Sequence, residues 1–141
     1  MTYDIQLKRL YRPVEKDDGA RILVDRLWPR GKRRDSLDLT DWYRDASPTP
    51  GLRRNYHQKA ISHDSFADHY RREFGDAPEN LLPLMCYARR GRLTLLTASR
   101  DIQASHLPLL REAILEALHE EDATDNEPSS PPCYLGQMKS S

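Results

Sequence analysis

Three short runs of apolar residues, each bounded by polar or turn residues, constrain this chain more than any other feature. The first run alternates apolar and polar residues over 5–8, and the other two are continuous, at 21–25 and 93–98. Alternation is typical of a strand with one buried face, whereas a short continuous run is typical of a strand buried on both faces. The sequence therefore predicts a small sheet.

Helical patterns fill the chain between the second and third predicted strands and follow the third. Thr49 and Pro50 are a suitable N-cap and first residue for a short helix through Tyr56. Apolar residues at helical spacing predict helices around 66–74 and 81–88, and Trp42 also fits a helical pattern. The last helix, which Ser105 can cap, has the most continuous apolar stripe, formed by Leu107, Leu110, Ile114, Ala117 and Leu118.

Strands that alternate with helices predict an α/β domain of two or three layers. We expect a short, mainly parallel sheet of about three to four strands with about five helices. The first connection is too short for an ordinary helical crossover, so an antiparallel first pair stays open. The domain is predicted to span 1–121, and 122–141, rich in Ser, Pro, Asp and Asn, to be a disordered or loosely docked tail.

Composition excludes several classes of function. The 22 basic and 22 acidic residues cancel, which argues against a protein that coats nucleic acid. Mean hydropathy is −0.82, no apolar run could cross a bilayer, and the first residues lack the features of a signal peptide. The two cysteines and five histidines show no metal-ligand spacing. We therefore expect a soluble cytoplasmic protein with no metal, cofactor or membrane partner, whose oligomeric state the sequence leaves undecided.

Two polar segments follow buried strands directly, at 24–31 and 97–101. The carboxyl ends of parallel strands share one edge of a sheet, where ligands commonly bind. That edge would carry Asp25, Arg26, Arg30, Arg100 and Asp101, with Ser105 and His106 nearby at the start of the last helix. Arginine outnumbers lysine seventeen to five. Because guanidinium groups match carboxylate and phosphate oxygens in pairs, the set predicts an anion site.

Each of these residues also has a structural interpretation. The Arg–Asp pairs could form an ion-pair network that only braces the loops, and Trp28 could be a core or lid residue instead of a pocket wall. His106, beside a helix N-terminus that disfavours its charged form, could be a neutral general base or a structural histidine. Ser99 has no identified base and lacks a nucleophile-elbow motif. These alternatives remain open at this point.

The same segments resemble a known family. The strings at 5–11 (IQLKRLY), 21–31 (RILVDRLWPRG) and 94–101 (TLLTASRD), together with His106, resemble the DUF488 family and its YeaO-like branch over about residues 5–118. The resemblance includes Leu52-Arg53, which adds Arg53 to the candidate anion ligands. DUF488 is a domain of unknown function, so the resemblance implies a fold more than an activity. Broader DUF488 sequences often have cysteines where this chain has Thr97 and Ser105, so thiol or metal chemistry is not carried over.

The leading hypothesis is a protein that binds an anionic small molecule, namely a phosphate, nucleotide or carboxylate, at the strand ends. The ligand-binding candidates are Arg26, Trp28, Arg30, Arg53, Ser99, Arg100 and Ser105. Asp25, Asp101 and His106 are the candidates for acid–base catalysis, if the protein is an enzyme at all. The alternative is a regulatory module bound to nucleic acid through Lys32-Arg33-Arg34 and Arg53-Arg54, and a third possibility is a partner-binding tail.

Overall fold

A computed structural model describes residues 3–29, 31 and 38–124 of the chain. These residues form four strands and four α-helices, with three short 3₁₀ turns at Lys16–Asp18, Arg44–Ala46 and Pro78–Leu81. In chain order the elements are β1 (Ile5–Arg9), β2 (Ala20–Leu23), β3 (Asp41–Trp42), α1 (Pro50–His57), α2 (His63–Asp76), α3 (Leu82–Arg90), β4 (Leu93–Thr97) and α4 (Leu107–Thr124).

The four strands form one sheet in the order β1-β4-β2-β3, and every neighbouring pair is parallel. The predicted class, a small α/β domain with a short parallel sheet, is confirmed. β4 lies between β1 and β2, so Leu93 stands opposite both Ile5 and Ala20. The first two strands therefore do not pair with each other, and the short connection 10–19 reaches β2 without an α-helix.

All four helices contribute to a core on one face of the sheet. Strand side chains alternate between faces, and those on this face include Ile5, Ile22 and Leu95, which are at most 2% exposed. The helical stripes predicted from the sequence pack here. Their buried members include Leu52 of α1, Phe66 and Tyr70 of α2, Leu84 and Met85 of α3, and Leu107, Leu110, Ile114 and Leu118 of α4.

The opposite face of the sheet is covered by loops, which makes the domain two-layered. A smaller apolar cluster forms there from Leu10, Leu23 and Leu96, with the half-buried Trp28 and Trp42 packed against it. The same face carries the buried polar residues Asp18, Arg21 and Thr94. Thr94 donates a hydrogen bond to the Asp18 backbone oxygen at 2.6 Å, which ties the first loop to the central strand.

The sequence predicted the start of α1 correctly and the secondary structure of Trp42 wrongly. α1 begins at Pro50 with Thr49 as its N-cap, as predicted, although the Thr49 hydroxyl donates to Glu73 instead of capping the helix. The prediction of a helical Trp42 is wrong, because Trp42 lies in β3 opposite Leu23. A strand of two residues is too short to display a strand period in the sequence.

The last described residues belong to α4. α4 continues to Thr124, and Arg89 of α3 contacts Glu121 at 2.7 Å and Asp122 at 3.2 Å. Arg30, the Lys32-Arg33-Arg34 segment and the tail from 125 onward lie outside the described residues. None of the described helices combines the length and apolar character needed to cross a membrane.

Gly19, directly before β2, occupies a position where both the backbone conformation and the available space require glycine. Its φ is +66°, and a Cβ built there would overlap the backbone carbonyl of Arg92, which accepts a hydrogen bond from Ala20 N–H at 3.0 Å. We expect Gly19→Ala to lower the free energy of unfolding by about 2–4 kcal/mol in urea denaturation.

Gly75→Ala is the matched control, because Gly75 lies in α2 and nothing stands within 4 Å of the added Cβ. That variant should be stabilised by about 0.5–1 kcal/mol. Equal unfolding midpoints for the two variants would contradict the conclusion that position 19 requires glycine.

Candidate functional site

The carboxyl ends of β2 and β4 meet at the side chain of Asp25. One carboxylate oxygen, Oδ1, accepts the Thr97 hydroxyl at 2.7 Å, and Oδ2 accepts the Ala98 backbone N–H at 2.8 Å. The segment 24–29 and the segment 97–101 therefore adjoin at one edge of the sheet. Two hydrogen bonds to a carboxylate that is 17% exposed fix the relative position of these two loops.

His106 lies directly beneath this junction. Its Nε2 is 2.8 Å from the Val24 backbone oxygen and 3.8 Å from Oδ1 of Asp25. Because a carbonyl oxygen only accepts, Nε2 carries the proton in this contact, and Nδ1 carries the lone pair of the neutral ring. The ring also packs edge-on against Tyr70, with centroids 6.0 Å apart.

The surroundings of His106 favour its neutral form. Burial lowers the pKa of His106 below its ordinary value, and electrostatic interactions with Arg53 and His57 lower it further. The nearby carboxylate of Asp25 and the hydrogen bond to the Val24 carbonyl act in the opposite direction but are outweighed. A neutral, buried imidazole suits a structural donor, and its Nδ1 is the atom that would accept a proton in acid–base chemistry.

Arg26 faces backbone carbonyls of the loop that leads into α1. Nη2 donates to the Ser47 oxygen at 3.1 Å and to the Pro48 oxygen at 3.3 Å, and Nε lies 3.4 Å from the Pro48 oxygen. These bonds join the loop after β2 to the start of α1. The guanidinium is half-buried, and its partners here are backbone carbonyls and not the aspartates of the ion-pair network that the sequence left open.

Trp28 lies on the loop-covered face of the sheet. Its ring meets the Trp42 ring edge-on at a centroid distance of 5.0 Å, and the Trp42 indole N–H donates to the Asp25 backbone oxygen at 2.8 Å. The two indoles thus hold the loop after β2 against the sheet. Trp28 packs against the cluster formed by Leu10, Leu23 and Leu96.

Polar side chains of the segment 99–106 form hydrogen bonds with nearby backbone groups and so fix its conformation. Asp101 accepts the N–H groups of Gln103 and Ala104 at 3.1 and 3.3 Å, forming a turn. Ser105 accepts the Leu107 N–H at 3.2 Å and donates to the Ile102 oxygen at 2.6 Å, so it caps α4 as predicted. The Ser99 backbone oxygen accepts Arg9 Nε at 3.1 Å, and the described contacts of Ser99 involve its backbone.

Two predicted anion ligands make no ion pair with a described residue. Arg100 is exposed, and Arg53 is half-buried on α1, close enough to His106 for its charge to shift that pKa. The Tyr56 hydroxyl, one turn after Arg53, donates to the Ala104 oxygen at 2.9 Å and so holds α1 beside the 99–106 segment. The third candidate, Arg30, lies outside the described residues.

A cavity of about 240 Å³ opens beside Arg26, between α2 and the loop before α1. Its walls include the rings of Tyr70 and Phe74 and the three carboxyl groups of Asp45, Glu73 and Asp76. Three carboxylates against one guanidinium make this cavity a poor site for an anion. In the described part of the chain, no group of three His, Cys, Asp or Glu side chains could hold a metal ion.

Sequence reasoning missed the partners that explain the predicted residues. Thr97 and the Ala98 N–H bind Asp25, while the Ser47 and Pro48 carbonyls bind Arg26. Backbone donors and acceptors carry no residue signature, so only Thr97 could have been found from the sequence. Its place at the end of a buried strand, where a hydroxyl needs a partner, was the available signal.

Among the described residues, these contacts define an α/β protein whose strand-end polar groups are mostly hydrogen-bonded within the protein, whereas Arg53 and Arg100 make no ion pair. The chain belongs to the DUF488 family: residues 4–135 match the family described as "Inactive DUF488-N3 subclade". It is 35% identical over 109 residues to "Uncharacterized protein YeaO" of Escherichia coli K12, covering 77% of this chain and 95% of that protein.

A mycobacterial relative is similar to a comparable degree. "Uncharacterized protein Rv3073c" of Mycobacterium tuberculosis H37Rv is 34% identical over 110 residues, covering 78% of this chain and 92% of that protein. No solved structure matches the chain. The predicted membership of the DUF488 family and its YeaO-like branch is confirmed.

The carboxylate of Asp25 should be the most sensitive polar group of the site. Asp25→Ala leaves the Thr97 hydroxyl and the Ala98 N–H without their acceptor, so we expect the free energy of unfolding to fall by about 2–4 kcal/mol in urea denaturation. Asp45→Ala, at an exposed carboxylate, is the control and should change it by less than about 0.5 kcal/mol. A loss at Asp25 no larger than at Asp45 would contradict the stabilising role assigned to the two hydrogen bonds of Asp25.

His106 makes stability depend on pH in a defined direction. Its pKa is lowered in the folded state, so the unfolded chain binds this proton more readily. Stability is full above the ordinary histidine pKa and falls as pH drops below it, by at most about 1.4 kcal/mol per pH unit for one proton.

The contribution of His106 to the pH dependence of stability is measured by urea unfolding of the wild type, His106→Gln and His119→Gln between about pH 7.5 and 5. His106→Gln should flatten the loss relative to the wild type, whereas His119→Gln, at an exposed position, should not. Parallel profiles for all three proteins would contradict the lowered pKa.

Proposed function

We propose that this protein binds a small anion, a phosphate, nucleotide or carboxylate, at the carboxyl edge of its sheet without transforming it. Arg53 and Arg100 are the anion ligands, and Asp25 and His106 position the loops that carry the site. The observation that carries the proposal is Arg53, a half-buried guanidinium that has no carboxylate partner among the described residues yet acts electrostatically on His106. A partly desolvated, unneutralised guanidinium favours an anionic oxygen.

The start of α4 adds to this preference. α4 begins at Leu107, directly after His106, and runs to Thr124, so the positive end of its dipole points toward the same edge. Arg53 on α1 approaches that edge because Tyr56 bonds to Ala104. An anion between the two elements would meet a guanidinium and a helix dipole of the same sign, and their fields would add.

The absence of turnover is proposed from the commitments of the candidate catalytic groups. Asp25 accepts two hydrogen bonds, His106 Nε2 faces a carbonyl, and Asp101 closes a turn. The hydroxyls of Thr97 and Ser105, where related sequences often carry cysteines, also donate within the protein. The word "inactive" in the description of the matching family agrees with a binding role.

Binding is tested by calorimetric titration of the full chain with inorganic phosphate, ADP and citrate. Loss of a charge-assisted contact costs about 1.5–3 kcal/mol, so Arg53→Ala and Arg100→Ala should each raise the Kd of the bound probe about tenfold or more. Arg72→Ala removes an exposed arginine of α2 and is the control, with unchanged Kd.

Three outcomes would reject the proposal: no heat with any probe, equal affinities in all variants, or conversion of the bound probe. Binding of DNA at low salt, with a steep salt dependence that Arg53→Ala and Arg54→Ala both weaken, would instead favour the nucleic-acid module.

A further inference from the structure

Arg9, the last residue of β1, brings a further arginine to the carboxyl edge of the sheet. It stands opposite Thr97, the last residue of β4. Side chains alternate along a strand, so Arg9 shares a face with Ile5 and Leu7, which pack in the helix-covered core. Arg9 therefore lies at the same edge, and on the same face of the sheet, as the start of α4.

Two contacts hold the guanidinium of Arg9 in place. Its Nε donates to the Ser99 backbone oxygen at 3.1 Å, and its central carbon lies 5.5 Å from the centroid of the Tyr11 ring. A cation at this distance over an aromatic ring is attracted by the ring face. The bond to Ser99 reaches the segment 99–106, which carries Arg100 and leads into α4. The Arg9 guanidinium is thus fixed beside the proposed anion site.

The outer end of this guanidinium is accessible to a ligand. Among the described residues, no hydrogen-bond acceptor or acid contacts Nη1 or Nη2 of Arg9. Both nitrogens keep contact with solvent, since Nη2 of Arg21 is the one buried side-chain nitrogen or oxygen without a partner in the described part of the chain. The acids of the two strand-end segments, Asp25 and Asp101, are bonded to other groups. A half-buried guanidinium with two accessible N–H edges suits a pair of anionic oxygens.

Arg9 and Arg53 belong to elements that meet the segment 99–106 at its two ends. Arg9 is bonded to the first residue of the segment, whereas α1, which carries Arg53, is joined to the Ala104 oxygen by the Tyr56 hydroxyl at 2.9 Å. Two cations held at separate places favour a ligand whose negative charge is divided between two groups.

We propose that Arg9 is an additional ligand of the anion site, and that the site takes a molecule with two anionic groups, a diphosphate or a dicarboxylate. Nη1 and Nη2 of Arg9 donate to the oxygens of one group, while Nε keeps its bond to Ser99. Arg53 and Arg100 bind the other group. This inference rests on the proposed function and specifies the anion of that same site.

The inference is tested by calorimetric titration of the full chain with two matched pairs of probes, phosphate and pyrophosphate, and propionate and succinate. In the pair whose chemistry the site takes, the probe with two anionic groups should have a Kd at least about tenfold lower than the probe with one. Arg9→Ala should abolish this preference by raising the Kd of the two-group probe about tenfold, with the Kd of the single-group probe changed by less than about twofold. Arg9→Lys keeps the charge without the paired N–H groups, so it should recover only part of the preference.

Arg12→Ala is the matched control for the change in net charge. Arg12 is exposed in the loop after β1, and its replacement should leave the preference for two anionic groups unchanged. The single-group probe reports whether the segment 99–106 is still in place, because its binding needs Arg53 and Arg100. Equal weakening of both probes by Arg9→Ala would therefore mean that Arg9 only braces this segment.

That result would overturn the inference, and so would a wild type without preference in either pair or an equal loss of preference in Arg12→Ala. The anion site proposed above would survive each of these results, provided that binding still depends on Arg53 and Arg100. Absence of binding with every probe would reject both proposals.

Discussion

The bond that organises the candidate site is the double hydrogen bond from Thr97 and Ala98 to the carboxylate of Asp25. It links the ends of two strands that are far apart in sequence and adjacent in the sheet. The loops after those strands meet at this link, and His106 lies 3.8 Å from the same carboxylate. Because the acceptor is an ion with little exposure, the arrangement is strong as long as both donors remain.

The two faces of the sheet differ in the charged residues that they bury. The helix-covered face is apolar, whereas the loop-covered face buries Lys8, Asp18 and Arg21 together. Buried ion clusters stabilise a fold only when their members are fully paired, since each ion must first lose its water. Asp18 meets this condition with three donors that make four contacts: Lys8 Nζ reaches both carboxylate oxygens, and Arg21 Nη1 and the Glu15 N–H each donate to Oδ2. Arg21 does not, and this incomplete pairing distinguishes the amino edge from the carboxyl edge.

Most of the fold and part of the site could be predicted from local patterns. The three apolar runs became strands, Pro50 began a helix and Ser105 capped another, because period and capping chemistry are written in neighbouring residues. Trp42 could not be placed, since its strand exists only by pairing with Leu23. Arg26 carried a charge that suggested a ligand, yet its acceptors are carbonyls of residues that the pattern did not connect with it.

The sequence by itself determined the three longer strands, most helices, the family and the set of charged residues near the strand ends, because these depend on local periodicity and on short residue strings. Tertiary structure alone decided the strand order, with β4 inserted between β1 and β2, and which charges are neutralised. Pairing is a property of distance in space, so Arg26 met carbonyls while Arg53 met no described carboxylate. For the same reason, only the tertiary structure shows that Nη2 of Arg21 is buried without a hydrogen-bond partner among the described residues.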